Sequence, residues 1–127
     1  MQEKQLFEYA VIRVVPRVER EEFINVGVIL FCAKQNYLKA SVQIDEKRML
    51  TFSPDIEIEF IIKNLHVINT ICEGGNDSGP IGRLDKASRF RWLTATRSTV
   101  VQASKVHPGF CKNAEETLQK LVDQLVL

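Results

Sequence analysis

Cysteine and histidine are scarce in this 127-residue chain. Cys32, Cys72 and Cys111 are odd in number, far apart and free of any C-x-x-C pairing, which excludes a disulfide framework and a zinc ribbon. His66 and His107 show neither H-E-x-x-H nor H-x-x-E-H spacing, so no metal site and no cofactor is expected. Long apolar runs are missing too, because Glu, Arg, Lys or Asn interrupts every stretch before the ~18–20 residues of a membrane span. The opening MQEKQLFEYAVIRVV has acidic residues and an internal Arg where a signal peptide has a basic start and a clean apolar run; a cytoplasmic location is the expectation. Nor does one sign of charge dominate: 17 Lys and Arg stand against 16 Asp and Glu. That balance excludes a uniformly basic nucleic-acid binder and an acidic tail protein.

What remains is ordinary globular material, 45% apolar and 26% charged. One domain over residues 1–127 follows, large enough to bury a core without metals or disulfides. Leu6 to Pro16 (LFEYAVIRVVP) is rich in β-branched and aromatic residues and apolar on both faces, as a central strand is. A polar connection, Arg17 to Glu22, leads to a second such strand, Phe23 to Cys32. The turn Ala33-Lys34-Gln35-Asn36 then leads to Tyr37–Ile44, whose alternation gives one wet face. The two read as an antiparallel hairpin.

Helix signals follow. Asp45 can open a single turn, and Ser53-Pro54 offers an N-cap with Pro at the first helical position. Ile58, Ile61, Ile62, Leu65, Ile68 and Cys72 then form an apolar stripe at helical spacing. The glycines and proline of Glu73 to Gly82 predict a flexible loop. A short helix is expected within Arg83 to Ala95, a fourth strand over Ser98 to Ala103, and a C-terminal helix capped by Asn113 with Leu118, Leu121, Val122 and Leu125 on its apolar face. The order predicts an α+β fold: a mainly antiparallel sheet of about four strands with two to three helices packed against it.

Two constellations can carry chemistry. The first is Arg13, which projects from an apolar strand and must be solvated or met by a carboxylate. A hairpin-like return brings Glu22 and Asn25 towards it; the plain reading is a salt bridge fixing strand register, the functional one an Arg–Glu site. Gly27, inside the second strand, marks a bulge or a close backbone approach. The second is a local excess of positive charge. Arg83, Lys86, Arg89, Arg91, Arg97, Lys105 and Lys112 stand against Asp85 alone, with Phe90 and Trp92 interleaved as either core or surface aromatics. Such a segment suits an acidic protein surface, a phosphate or single-stranded nucleic acid.

The weaker signals have structural explanations. Cys32 and Cys72 read as small buried hydrophobes. Cys111, in HPGFCKN, has surroundings that can expose a thiol, but His107 across a Pro-Gly turn does not make a helical Cys–His pair. Gly74-Gly75-Asn76-Asp77-Ser78-Gly79 lacks the Lys of a phosphate-binding loop. His66 is expected to face solvent. Asp55, Glu57 and Glu59 fit the first turns of a helix, where the dipole favours negative charge.

Three stretches, YAVIRVVPRVEREEFINVGVIL, RFRWLTATRSTVVQASKVHPG and ETLQKLVDQLV, resemble in order and spacing the bacterial domain-of-unknown-function family numbered 3037. The resemblance rests on Arg13, Pro16, Glu22, Phe23, Asn25, Gly27 and Val28. It departs at Thr96, Ala103 and Lys105, where the family pattern has prolines. It implies a small bacterial cytoplasmic protein and, as partner, a HipA-like kinase; it supplies no reaction. The leading expectation is therefore a non-catalytic accessory or interaction protein using the Arg83, Lys86, Arg89, Arg91 and Lys105 surface. Its rival is an enzyme or anion-binding domain joining Arg13, Glu22, Asn25, Arg97 and His107 in one cleft. Single-stranded nucleic-acid binding through the basic segment is a third reading, and a homodimer through a strand edge or the C-terminal helix is open.

Overall fold

A computed structural model describes residues 3–75, 77–97 and 99–127. The long, doubly apolar strand of the sequence, β1 (Gln5–Val14), is the centre of a five-stranded antiparallel sheet. On one side it pairs with β2 (Ile24–Cys32), which in turn pairs with β3 (Tyr37–Val42). On the other side β4 (Val101–Ala103) and then β5 (His107–Cys111) run end to end along it. The hairpin turn is closed by Asn36 N–H donating to the Ala33 carbonyl at 3.0 Å.

The fourth strand is shorter than expected and begins at Val101; Ser98, which the expectation included, lies outside the described residues. The fifth forms where the sequence has the Pro-Gly turn of Pro108 and Gly109. Pro108 has no N–H to give a neighbour, so an edge strand is where it fits, and a side chain at Gly109 would stand 2.5 Å from the Phe7 ring packed over it. Gly27 is the expected close approach: a Cβ there would meet the Ser41 carbonyl oxygen at 2.6 Å. The expected irregularity is present too, as a register shift opposite Ile12 and Arg13.

Side-chain alternation divides the core between the faces. On one face Ile12, Val14, Ile29 and Phe31 pack under α2 (Ile58–Glu73) and α4 (Lys86–Leu93), with Phe90 fully buried between them. On the other, Phe7, Val28, Leu30 and Cys32 pack under α5 (Ala114–Leu125), through Leu118 and Val122. Helix starts follow their caps: Asp45 accepts from Arg48 N–H at the start of α1 (Glu46–Phe52), Asp85 from Ser88 N–H, and Asn113 from Glu116 N–H. Ser53-Pro54 is not a cap. Ser53 ends α1, a turn closed by Ile56 N–H on the Ser53 carbonyl follows, and α2 starts only at Ile58. Of the three acids read as first-turn residues, only Glu59 is one. The stretch read as a flexible loop is shorter, because α2 runs through Glu73 and a single turn, α3 (Gly79–Gly82), follows; Asn76 lies outside the described residues.

Candidate functional site

The α2/α4 layer is incomplete. After Leu93 the chain leaves α4 and crosses to β4, so the strip of sheet between α2 and β4 stays open. The result is a groove of about 460 Å³, within the range of small-molecule and peptide sites. Ile12 and Ile29 form its floor, Phe60, Asn64, Val67 and Ile68 of α2 one wall, and Trp92, Leu93, Arg97 and residues 99–103 the other. Phe60, Val67 and Trp92 are 52%, 51% and 41% exposed. Three large apolar side chains flanking one cleft form a contiguous patch of the kind that marks a binding site.

Arg97 supplies the polar handle. Its guanidinium lies 4.3 Å from the Trp92 ring centroid and donates to the Trp92 and Leu93 carbonyls at the end of α4. This stacking fixes the plane of the charge. Among the described residues two of its five N–H groups have protein acceptors and no carboxylate pairs with it. An aromatic-backed, half-buried cation over an apolar cleft can hold an anionic group while the cleft takes apolar side chains.

The five residues expected to share a cleft do not meet. Arg13 and Asn25 are cross-strand neighbours on the α5 side of the sheet, opposite to the groove, where Asn25 Nδ2 donates to the Leu125 carbonyl at 3.1 Å. Arg13 stacks 3.9 Å over the Phe23 ring, among the described residues no carboxylate pairs with it, and burial lowers its pKa. Its Nε and the Asn25 Oδ1 are buried without hydrogen-bond partners among the described residues. Glu22 pairs with Arg20 at 2.6 Å across the exposed turn after β1, so the expected salt bridge to Arg13 does not form. His107 lies against Tyr9, ring centroids 5.3 Å apart, also on the α5 side. Only Arg97 reaches the groove.

The basic segment is likewise dispersed. Arg89, expected on the surface, is 6% exposed; its Nη1 donates to the Ile71 and Cys72 carbonyls at 2.8 Å each, a cation on the C-terminal end of α2. Arg91 makes a two-pronged ion pair with Glu8 of β1 at 2.8 and 3.0 Å, which raises its pKa. Arg83 is exposed and already engaged. Lys86 lines a separate cleft, and Lys105 and Lys112 are exposed near the two ends of β5. Of the interleaved aromatics, Phe90 is core and Trp92 surface.

Other chemistry is less well furnished. The cleft with Lys86, about 600 Å³ and more open, also holds His66 and Cys72, but burial pushes the Cys72 thiol up to about 12. Cys111, expected to be the exposable thiol, is buried beneath α5 and its pKa is raised by desolvation. His66 is exposed, as expected. Among the described residues no three His, Cys, Asp or Glu side chains cluster as metal ligands, and no helix is long and apolar enough to cross a membrane.

Reading the sequence for charge missed Phe60, Asn64 and Val67. Their signal was present: at i, i+4 and i+7 they form a second line on α2 beside the core stripe, with apolar residues at both ends.

The fold and the groove define an α+β domain whose antiparallel sheet is covered by α5 on one face and carries an open groove on the other. The family model described as "Protein of unknown function (DUF3037)" matches residues 9–126, and the chain belongs to that family. No curated protein and no solved structure matches it.

Proposed function

We propose that the protein is a binding module rather than a catalyst, and that it holds a partner protein through the groove between α2 and β4. The observation that carries this reading is the placement of Phe60, Val67 and Trp92, all exposed, around one apolar cleft with the stacked Arg97 at its rim. Burying such a cluster against a partner supplies the apolar centre of an interface, and a stacked Arg supplies orientation. The broad basic surface is a weaker candidate, because Arg89 and Arg91 are already committed within the fold. The HipA-like kinase implied by family resemblance is the first partner to try.

Trp92 is the chain's single tryptophan, so its emission reports on the groove directly. A purified HipA-like kinase is titrated into the wild type and into Val67→Glu, which places a charge in the groove from an exposed helical position. Lys120→Glu, on the outer side of α5, is the control. Binding with a Trp92 blue shift, weakened at least about tenfold by Val67→Glu and unchanged by Lys120→Glu, is the expected result. An apolar fluorescent dye provides a partner-independent arm. Dye and kinase bound equally by wild type and Val67→Glu would falsify the groove reading; dye binding alone, lost in Val67→Glu, would remove only the kinase.

A further inference from the structure

The groove is bordered on one side by an unpaired strand edge. β4 pairs with β1 and, among the described residues, has no strand on its other side. Its inward-facing backbone groups follow from the adjoining bonds: Val15 N–H donates to the Val100 carbonyl at 2.6 Å and Ser104 N–H to the Val11 carbonyl at 2.8 Å. By antiparallel alternation, Gln102 also turns its backbone groups to β1, while Val101 and Ala103 turn theirs outward. The Val101 carbonyl already accepts from the Thr99 hydroxyl at 2.7 Å. The outward set therefore comprises the Val101 N–H and both backbone groups of Ala103. Gln102 lines the groove although it is the cross-strand partner of Arg13, whose side chain lies on the far face. Backbone as well as side chain thus forms this wall.

Resting on the groove reading, we propose that the occupant is an extended segment of a partner protein that adds a short strand to the outer edge of β4. Alternate side chains of that segment are apolar and enter the groove between β4 and α2. One acidic side chain of the same segment meets Arg97. Each part of this recognition has its counterpart in the protein. Outward-facing N–H and C=O groups supply main-chain affinity, the apolar floor at Ile12 and Ile29 supplies side-chain selectivity, and a stacked guanidinium without a carboxylate partner among the described residues supplies charge complementarity.

The other edges of the sheet serve this purpose less well. On β3, residues Tyr37 to Ala40 border the separate, more open cleft that holds His66 and Lys86. On β5, Pro108 has no N–H to offer. Neither of those edges lines the apolar groove.

Random heptapeptides displayed on phage are selected on immobilised wild-type protein, and the enriched sequences are made synthetically. The expected sequences alternate apolar residues and carry one Asp or Glu. Peptide binding should protect the Val101 and Ala103 amides from hydrogen exchange, and N-methylation at alternate peptide positions should abolish it. Arg97→Gln should weaken binding about tenfold, with Arg97→Lys between the two, since it keeps the charge and loses the planar fork. Circular dichroism checks that each variant folds.

Peptides that lose affinity in Val67→Glu but tolerate N-methylation, or leave the Ala103 amide unprotected, would overturn strand addition and leave the groove reading standing. Peptides bound equally by Val67→Glu would overturn both. A library that yields no enriched peptide overturns the strand proposal, and the dye titration then judges the groove alone. Concentration-dependent protection of the same amides without peptide would assign the edge to a second copy of the chain, which also overturns it.

Discussion

The two faces of the sheet are closed to different degrees by helices of different reach. On one, α5 runs for 12 residues with Leu118 and Val122 turned down onto Phe7, Val28 and Leu30. On the other, α4 is 8 residues long and ends at Leu93, short of the strip between α2 and β4. The first face buries its apolar residues within the chain, while the second leaves Phe60, Val67 and Trp92 around an open cleft. A sheet strand that is apolar on both faces needs cover on both. Where a helix is too short to give it, the uncovered residues become a surface available to another molecule.

Substitution in the two cores tests whether both faces are equally part of the fold. Phe90→Ala and Leu118→Ala should each destabilise strongly, by about 3–5 and 2–5 kcal/mol respectively, in urea denaturation. A cost below about 1 kcal/mol for Leu118→Ala would mean that α5 does not seal its face. Arg89→Met comes next. It leaves the buried Ile71 and Cys72 carbonyls without their donor and should cost about 2–4 kcal/mol, measured in the same way. A near-neutral result would return Arg89 to the surface.

Trp92→Ala separates folding from binding. Its stability effect should stay below about 1 kcal/mol, because the side chain is 41% exposed, while binding of the apolar dye, read by the dye's own fluorescence, falls sharply. A large loss of stability would make Trp92 part of the core and break the contrast between the faces.

The smallest effect belongs to the sealed face, where Glu115 accepts from Tyr37 and pairs with Lys39 at 3.1 Å, tying α5 to β3. The Tyr37 hydrogen bond, then the one from Lys39, hold the Glu115 carboxyl below its ordinary pKa. A depressed carboxyl stabilises the fold above its unfolded pKa, and that contribution is lost as pH falls through the folded one. Glu115 is largely exposed, so solvent screening limits the effect to less than about 0.5 kcal/mol. Denaturation midpoints of wild type and Glu115→Gln should differ slightly at pH 7 and converge as the pH falls through the depressed carboxyl's pKa.

The strands built on β-branched alternation were legible because their period is a local property: β1, β2 and β3 lie close to where the residues of Leu6–Ile44 place them. Asp45 and Asn113 were legible as caps for the same reason. Ser53-Pro54 misled because a good cap also makes a good turn, and the competition was decided by where α2 had to start in order to bury Ile61 and Leu65. β5 was obscured by Pro108 and Gly109, which weaken a strand in isolation and are tolerated at an edge beside Phe7. The charged residues were least legible. Arg89 and Arg91 are similar in sequence context, yet one caps a buried helix end and the other pairs with Glu8 on β1.

The sequence by itself determined the α+β class, the central strand, the main helical stripes and the absence of a disulfide framework, because periodicity and composition act over neighbouring residues. Tertiary structure alone decided that Arg13 and Arg97 stand on opposite sides of the sheet and that Cys111 is buried. It also decided that Trp92, Phe60 and Val67 share one groove. These relations join residues far apart in the chain. They depend on which strand lies at the edge and on how far each helix reaches across the face it covers.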